Sequence, residues 1–291
     1  MKTPLQTHRG QKRWTLLAFA LLFLVCAWWL GLAPAGLLPP DAGHWARAGS
    51  FFAAALDPAF DYEDGSVPDD AIPLLGKACL GLLLTLRFAF GAMSLAVPAA
   101  LVLGFLGSSA WWPEPCGPRL RFLLGMVYGG TRLLMSLLRS IHELIWALLI
   151  LSAAGVSPLA GMVALALPFS GTLGKVFSEL IDEEARDAAE ALKAIGHGPM
   201  QTFLVGIFPR ALPNLITYAF YRFECALRSS AVLGFVGIET IGLYIELSHE
   251  EAHYREVWTY LYLLVALLVV VDLWGAAIRR RLQSDPGGCA A

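Results

Sequence analysis

The sequence predicts an all-α membrane protein, a bundle of six transmembrane helices with both termini in the cytoplasm. Of its 291 residues, 57% are hydrophobic and only 15% charged, against about 25% charged in soluble domains. The apolar residues gather into six stretches, each long enough to supply the ~20 residues that a helix needs to cross a bilayer. The short segments between them alternate in their content of Lys and Arg, as the positive-inside rule requires. With no water in the hydrocarbon to satisfy backbone groups, helices are the architecture these stretches can adopt.

The first stretch, about 14–38, follows Lys2, Arg9, Lys12 and Arg13 and closes at Pro39-Pro40. Ala33-Pro34-Ala35 has the look of a signal-peptidase site. A signal core has about 7–15 apolar residues, and this run is longer, so it is expected to remain as the first span. Residues 39–73 form a polar, acidic loop with Asp57, Asp61, Glu63, Asp64, Asp69 and Asp70. The second span is about 74–107, and a Pro- and Arg-containing loop, 108–121, follows. The third span is about 122–154. Gly155-Val156-Ser157-Pro158 turns it into the fourth, about 159–180, because Gly and Pro mark a tight turn. Residues 181–203 are polar and helix-favouring, the fifth span is about 204–236, a charged loop covers 237–256, and the sixth span is about 257–279.

Placing residues 1–13 in the cytoplasm puts Arg119, Arg121, Arg186, Lys193 and Arg279-Arg280-Arg281 on that side. Arg47, Arg255 and most of the acidic loop fall on the other. The formal net charge of −2 and the lack of a dense basic tract exclude a nucleic-acid partner. The cysteines, Cys26, Cys79, Cys116, Cys225 and Cys289, are scattered without a CxxC and read as small apolar residues.

Polar residues recur at helical spacing inside the spans. Arg132, Ser136, Arg139 and Glu143 step by 4, 3 and 4 along the third. Arg210, Asn214, Thr217, Tyr221, Glu224 and Arg228 step by 4, 3, 4, 3 and 4 along the fifth. Arg87, Gly91, Ser94 and Pro98 share a face of the second. A charge at mid-helix costs about 2.5–3.5 kcal/mol on insertion scales, so such residues turn to the bundle interior or to an aqueous path. The stripes on the third and fifth spans are therefore expected to line a path, with Arg139 and Arg228 suited to oxyanions. The competing possibility is mutual neutralisation of Arg139 by Glu143 and of Arg228 by Glu224, each pair four residues apart.

The 181–209 region joins a helix with acids in its first turns to breaks at Gly196 and Gly198-Pro199. Within it, Glu190-Ala191-Leu192, then Gly196, then Pro209 resembles the EAA loop of ATP-binding-cassette (ABC) importer permeases. That pattern runs EAA, three residues, Gly, nine residues, Ile-x-Leu-Pro; here Leu192 replaces the second Ala and Gly206-Ile207-Phe208 replaces Ile-x-Leu. Further segments resemble the phosphonate- and phosphite-type permeases among them: Leu138 to Ala147, where His142 stands at a position usually proline, Ala164 to Lys175, and Tyr218 to Gly237. Glu239-Thr240 replaces a usual glycine pair, the acidic insert around 57–70 is atypical, and Asp272 matches an aspartate of the family.

The resemblance implies a type I ABC importer permease core over 74–280, with 181–203 as the cytoplasmic coupling loop and 281–291 as a cytoplasmic tail. It implies a multi-pass protein of the bacterial inner membrane that pairs with a second permease copy. Two ABC ATPase subunits would carry ATP and Mg, and a periplasmic solute-binding protein would deliver a phosphonate, phosphite or hypophosphite. No cofactor is expected on this chain, and no catalytic or metal residues. Gly174-Lys175-Val176 lacks the first glycine and the Ser/Thr of a phosphate-binding loop.

One motif points elsewhere. His249-Glu250-Glu251-Ala252-His253 is a literal HExxH. On a helix its two histidines would share a face fit for zinc, with Glu250 as general base and Glu256 or Asp272 as candidate third ligands. A membrane zinc metalloprotease is thus the alternative function.

Overall fold

The computed structural model describes residues 4–30, 42–65, 68, 71–110 and 117–283. The end of the first expected span, Ala33-Pro34-Ala35, Pro39-Pro40, Asp69, Asp70, Cys116 and the tail from 284 lie outside the described residues. The chain forms two compact units, Met1–Leu56 and Asp57–Ala291.

The first unit holds α1 (Pro4–Trp29) and α2 (Ala42–Ala54). The apolar span of α1 is Lys12–Trp29. A polar loop was expected where α2 lies. Its alanines are strong helix formers, it contains no acidic residue, and the acidic cluster begins at Asp57, beyond its end.

The second unit contains the remaining helices, and among the described residues there is no strand. Pro73 precedes α3 (Leu74–Gly107), which runs 34 residues, about 51 Å at 1.5 Å per residue. The third expected span is two helices. α4 (Pro118–Ser140) and α5 (Glu143–Ala154) meet at 91°, so 122–154 is a broken span, not a straight one. Gly155, at φ +79°, ends α5. Ser157 then caps α6 (Pro158–Glu183), its Oγ accepting the Ala160 N–H at 3.2 Å.

Next come α7 (Asp187–Ala194), α8 (Pro199–Thr202), a π-turn Phe203–Ile207 and α9 (Phe208–Val232), which tightens into a 3₁₀ turn at Leu233–Val236. The charged segment 237–256, expected as a loop, contains α10 (Ile241–Glu250). α11 (Tyr254–Gln283) completes the fold. Among the described residues five helical segments are long and apolar enough to cross a membrane, and the bent α4–α5 pair makes a sixth.

Small residues are buried and large apolar ones face outward, the arrangement suited to lipid. Ala89, Ala92, Ala96 and Ala100 of α3 are buried against α6. A Cβ on Gly104 would sit 2.8 Å from Phe177 Cβ, and one on Gly174 would sit 2.9 Å from Leu103 Cβ. Such close backbone approach is what holds helices together where lipid removes the hydrophobic drive. Leu133, Leu134 and Leu137 of α4 and Val265, Val269 and Val270 of α11 are exposed.

The described residues of the acidic loop are strapped to α10 and α11. Arg255 pairs with Asp57 at 3.0 Å and Glu63 at 3.7 Å. The buried Glu256 accepts the Glu63 N–H at 2.8 Å and the Ser248 hydroxyl at 3.0 Å. Lys77 lies over the rings of Tyr62 and Tyr244. Burial, then the charge of Glu256, raises the Tyr62 pKa, and the Tyr62 hydroxyl donates to the Ile72 carbonyl at 2.8 Å.

The return from the 3₁₀ turn into α10 depends on two glycines. A Cβ on Gly242 would overlap the Ala231 carbonyl oxygen, and one on Gly234 would overlap the Gly242–Leu243 backbone. Gly242→Ala must therefore push these backbone segments apart and costs about 3 kcal/mol. Its measurable outcome is a lower melting temperature and yield of the purified protein in detergent.

Candidate functional site

The polar stripes meet at the α4–α5 break. Helix α4 ends at Ser140, and Ile141 (φ −100°, ψ 130°) and His142 (φ −62°, ψ 144°) are extended. His142 caps α5: its Nδ1 accepts the Leu144 N–H at 3.2 Å. The Trp146 indole donates back to the Leu138 carbonyl at 3.2 Å, occupying one of the acceptors that a helix C-terminus leaves open.

This backbone is ready for proline. φ at 142 has the value a pyrrolidine ring fixes, and the extended Ile141 is what a following proline requires. His142→Pro is therefore expected to change stability by less than about 1 kcal/mol, seen as a near-unchanged melting curve.

The break opens a cavity of about 460 Å³ between α4, α5, α6 and α9, lined by Arg139, Ser140, His142, Glu143, Pro168, Phe169, Thr172, Arg222, Cys225, Arg228 and Ser229. Three guanidinium groups thus share a cleft with one carboxylate. Glu143 accepts the Ser229 hydroxyl at 2.8 Å and lies 3.9 Å from His142. Arg222 donates from Nε to the Tyr218 hydroxyl at 2.9 Å and stacks over that ring. Among the described residues neither Arg139 nor Arg228 has a carboxylate partner.

Mutual neutralisation of neighbours, the competing possibility, is not what forms. Glu224 pairs with Arg279 of α11 at 2.6 Å instead of Arg228, and Arg279 also lies 3.8 Å from Asp272. Asp272 thereby joins a polar contact between helices. Arg228 also borders a second cavity of about 200 Å³ with Glu224 and Asp272.

Other stripe residues lie elsewhere. Arg132 is 3.6 Å from Asp182. Asn214 donates to Glu184 at 3.2 Å. Ser136 is exposed, and Tyr221 is exposed beside the Tyr218 ring. Thr217 is half-buried on α9 outside the cleft. Arg87 of α3 borders a separate, mostly apolar cavity of about 260 Å³ with Ser157 and Glu239.

Sequence reasoning missed Arg222, Thr172 and Ser229 as cleft residues. A signal for two of them was present: Tyr218, Arg222, Cys225 and Ser229 step by 4, 3 and 4, a second stripe beside the one that was read.

In the 187–209 region Ala189, Phe203 and Ile207 are buried in the core, while most of 190–201 is exposed. Glu190 and Ala191 are exposed, while Leu192 packs toward Gly206. Gly196, at φ +89°, ends α7. Its N–H donates to the Lys193 carbonyl at 3.0 Å and the His197 N–H to the Leu192 carbonyl at 3.1 Å, a glycine C-cap with both of its bonds made. Ile195, Met200, Leu204 and Val205 expose an apolar surface around it. Pro209 is exposed in the first turn of α9.

The HExxH motif does not form a zinc site. Helix α10 stops at Glu250, Ala252 turns to φ +62°, and the two histidines do not share a helical face. His253 lies 3.4 Å from Glu251, and His249 packs on the Tyr254 ring. Glu256 is engaged with Ser248 and Glu63. Among the described residues no cluster of three His, Cys, Asp or Glu side chains is placed to hold a metal.

Comparison with known proteins agrees with this architecture. Residues 121–284 match the family described as binding-protein-dependent transport system inner membrane component. The chain is 32% identical over 199 residues to the phosphite transport system permease protein PtxC of Stutzerimonas stutzeri, an overlap covering 68% of this chain and 69% of that one. It is 31% identical over 202 residues to the phosphate-import permease protein PhnE of Mycolicibacterium smegmatis, covering 69% of this chain and 36% of that one. Among solved structures, the MetNI methionine ABC transporter in an inward-facing conformation superimposes with a TM-score of 0.61 at 22% identity, over 73% of this chain and 99% of that one. An amino acid ABC transporter gives 0.59 at 17% identity, over 72% and 99%. These two likenesses concern the fold.

Proposed function

Because this chain belongs to the family of binding-protein-dependent transport system inner membrane components, we propose that it forms the path for a phosphorus oxyanion in an ATP-driven importer. The family places it in the bacterial inner membrane as a multi-pass permease subunit, not an enzyme, that works with a separate ATPase and a binding protein. The relatives named for phosphite and phosphate import suggest the substrate class: phosphonate, phosphite, hypophosphite or phosphate.

The observation that carries the reading is the cleft at the α4–α5 break. Arg139, Arg222 and Arg228 converge there from two helices. A guanidinium presents a planar fork of donors that matches oxyanion oxygens. Conduction also requires weak, transient contact. Glu143, held by Ser229, tempers the positive charge, and the cleft is open rather than enclosing.

We place the 183–200 region as the element received by the ATPase, with Glu190, Ala191, Leu192, Gly196 and Pro209 shaping it. Both termini then lie in the cytoplasm, a second copy completes the membrane unit, and each copy engages one ATPase. ATP and Mg reside on those partners.

The test is co-purification of the detergent-solubilised chain with the products of neighbouring genes, followed by ATPase and zinc assays. The reading predicts an ATPase partner that is lost only when Glu190 and Gly196 are replaced together, and no stoichiometric zinc. A lone chain with one zinc, released by His249→Ala, overturns it.

A further inference from the structure

The acids at the end of α6, just before the 187–196 loop, contact both arginine-bearing helices. Asp182 is held on one side by the end of α3: its Oδ1 accepts from Ser108 Oγ at 2.7 Å, Ser109 N at 2.8 Å and Ser109 Oγ at 3.2 Å. On the other side Arg132 of α4 approaches Oδ2 at 3.6 Å. That is long for a charge-assisted hydrogen bond, about 2.7–2.9 Å. Among the described residues Arg132 Nε is buried with no hydrogen-bond partner, while its guanidinium lies 5.1 Å from the Tyr128 ring. Two residues on, Glu184 accepts from Asn214 Nδ2 of α9 at 3.2 Å.

These contacts sit just before α7 and reach the two helices that carry the cleft. Arg139 lies seven residues beyond Arg132 on the same face of α4, about 10 Å along the axis. Arg228 lies fourteen residues beyond Asn214 on α9, about 21 Å along it. Asp182 therefore ties the α6–α7 junction to α4, and Glu184 ties it to α9.

A buried arginine nitrogen without a partner requires an explanation. Together with the loose 3.6 Å contact, it leaves the Arg132 side of the junction less fully bonded than the serine side. We propose that Asp182 and Glu184 are positioning residues of a mechanical joint that passes motion of the 187–196 loop to Arg139 and Arg228. The joint rests on the importer reading above.

Cys225, in the cleft, reports on the joint directly. In the full complex, with Cys26, Cys79, Cys116 and Cys289 changed to Ser, the rate of Cys225 modification by 2-sulfonatoethyl methanethiosulfonate is measured with and without ATP. The joint predicts a nucleotide-dependent rate that Asp182→Asn and Arg132→Gln flatten, and that Arg132→Lys partially restores. It also predicts a rise of about ten-fold in ATP hydrolysed per solute imported, with the ATPase still bound. Asn214→Ala gives a milder form of the same change and serves if Asp182→Asn does not fold.

Variants that melt earlier but keep the nucleotide response overturn the joint, since Asp182 then only braces the fold. Loss of the ATPase from the variants overturns it too, as does a wild-type rate indifferent to ATP. Failure of the importer reading looks different: the wild-type complex would then take up no phosphite, phosphonate, hypophosphite or phosphate, whatever its Cys225 reports.

Discussion

Gly196→Pro will leave the protein in the membrane but cut solute uptake on the order of a hundredfold, while the partner's ATPase continues or runs faster. Gly196 has φ +89° and donates its N–H to the Lys193 carbonyl. Proline holds φ near −65° and has no N–H. Ile195, at ψ 12°, is also in a conformation that a following proline disfavours. The loop must therefore leave α7 along another course, and Glu190, Ala191 and Ile195 move with it. Among the described residues nothing would meet a Cβ on Gly196 within 4 Å, so the core stays packed and insertion survives. Uptake and ATPase rates measured on the same proteoliposomes check this. Unimpaired uptake would remove the loop from the coupling role.

The second large effect is expected in the cleft. Arg139→Gln with Arg228→Gln removes two of the three guanidinium groups that line it. Both side chains are exposed, so the fold should lose little. Each substitution keeps hydrogen-bonding atoms but removes the charge and the planar fork. Uptake of a phosphorus oxyanion should fall by about a hundredfold for the pair and by about tenfold for either alone, the scale of one or two charge-assisted contacts at a step near 1.4 kcal/mol per tenfold. ATPase binding should be unchanged. Arg222, anchored to Tyr218, is predicted to retain some of the activity.

Much of the fold was legible in the sequence because membrane burial leaves a coarse signal. The second span, 74–107, coincides with α3, since a long apolar run bounded by Pro73 and Ser108 admits one helix. The turn at Gly155–Pro158 and the glycine break at 196 were legible because their backbones need residues that few others replace. The α4–α5 bend was not. Ile141 and His142 carry no strong breaker, and the fold makes the break through a histidine cap and an indole-to-carbonyl bond. Proline, usual at 142 in the resembled permeases, would have announced it.

The cleft was half legible. The 4-3-4 spacing found Arg139, Glu143 and Arg228, which the structure brings together. Periodicity says which residues share a face but not which partner each will meet. Arg132 and Asn214 therefore read as members of the same stripes, although their partners are Asp182 and Glu184 at the α6–α7 junction. The HExxH motif misled for a related reason. Its spacing has meaning only on a continuous helix, and α10 ends inside it.

The most direct measurement is uptake of radiolabelled phosphite by proteoliposomes that hold the whole complex, binding protein included, with and without ATP supplied on the ATPase side. The account predicts ATP-dependent accumulation that unlabelled phosphonate, hypophosphite or phosphate displaces according to the binding protein used. ATP-dependent uptake of a cationic or zwitterionic solute, with no phosphorus oxyanion moved or competing, would contradict it.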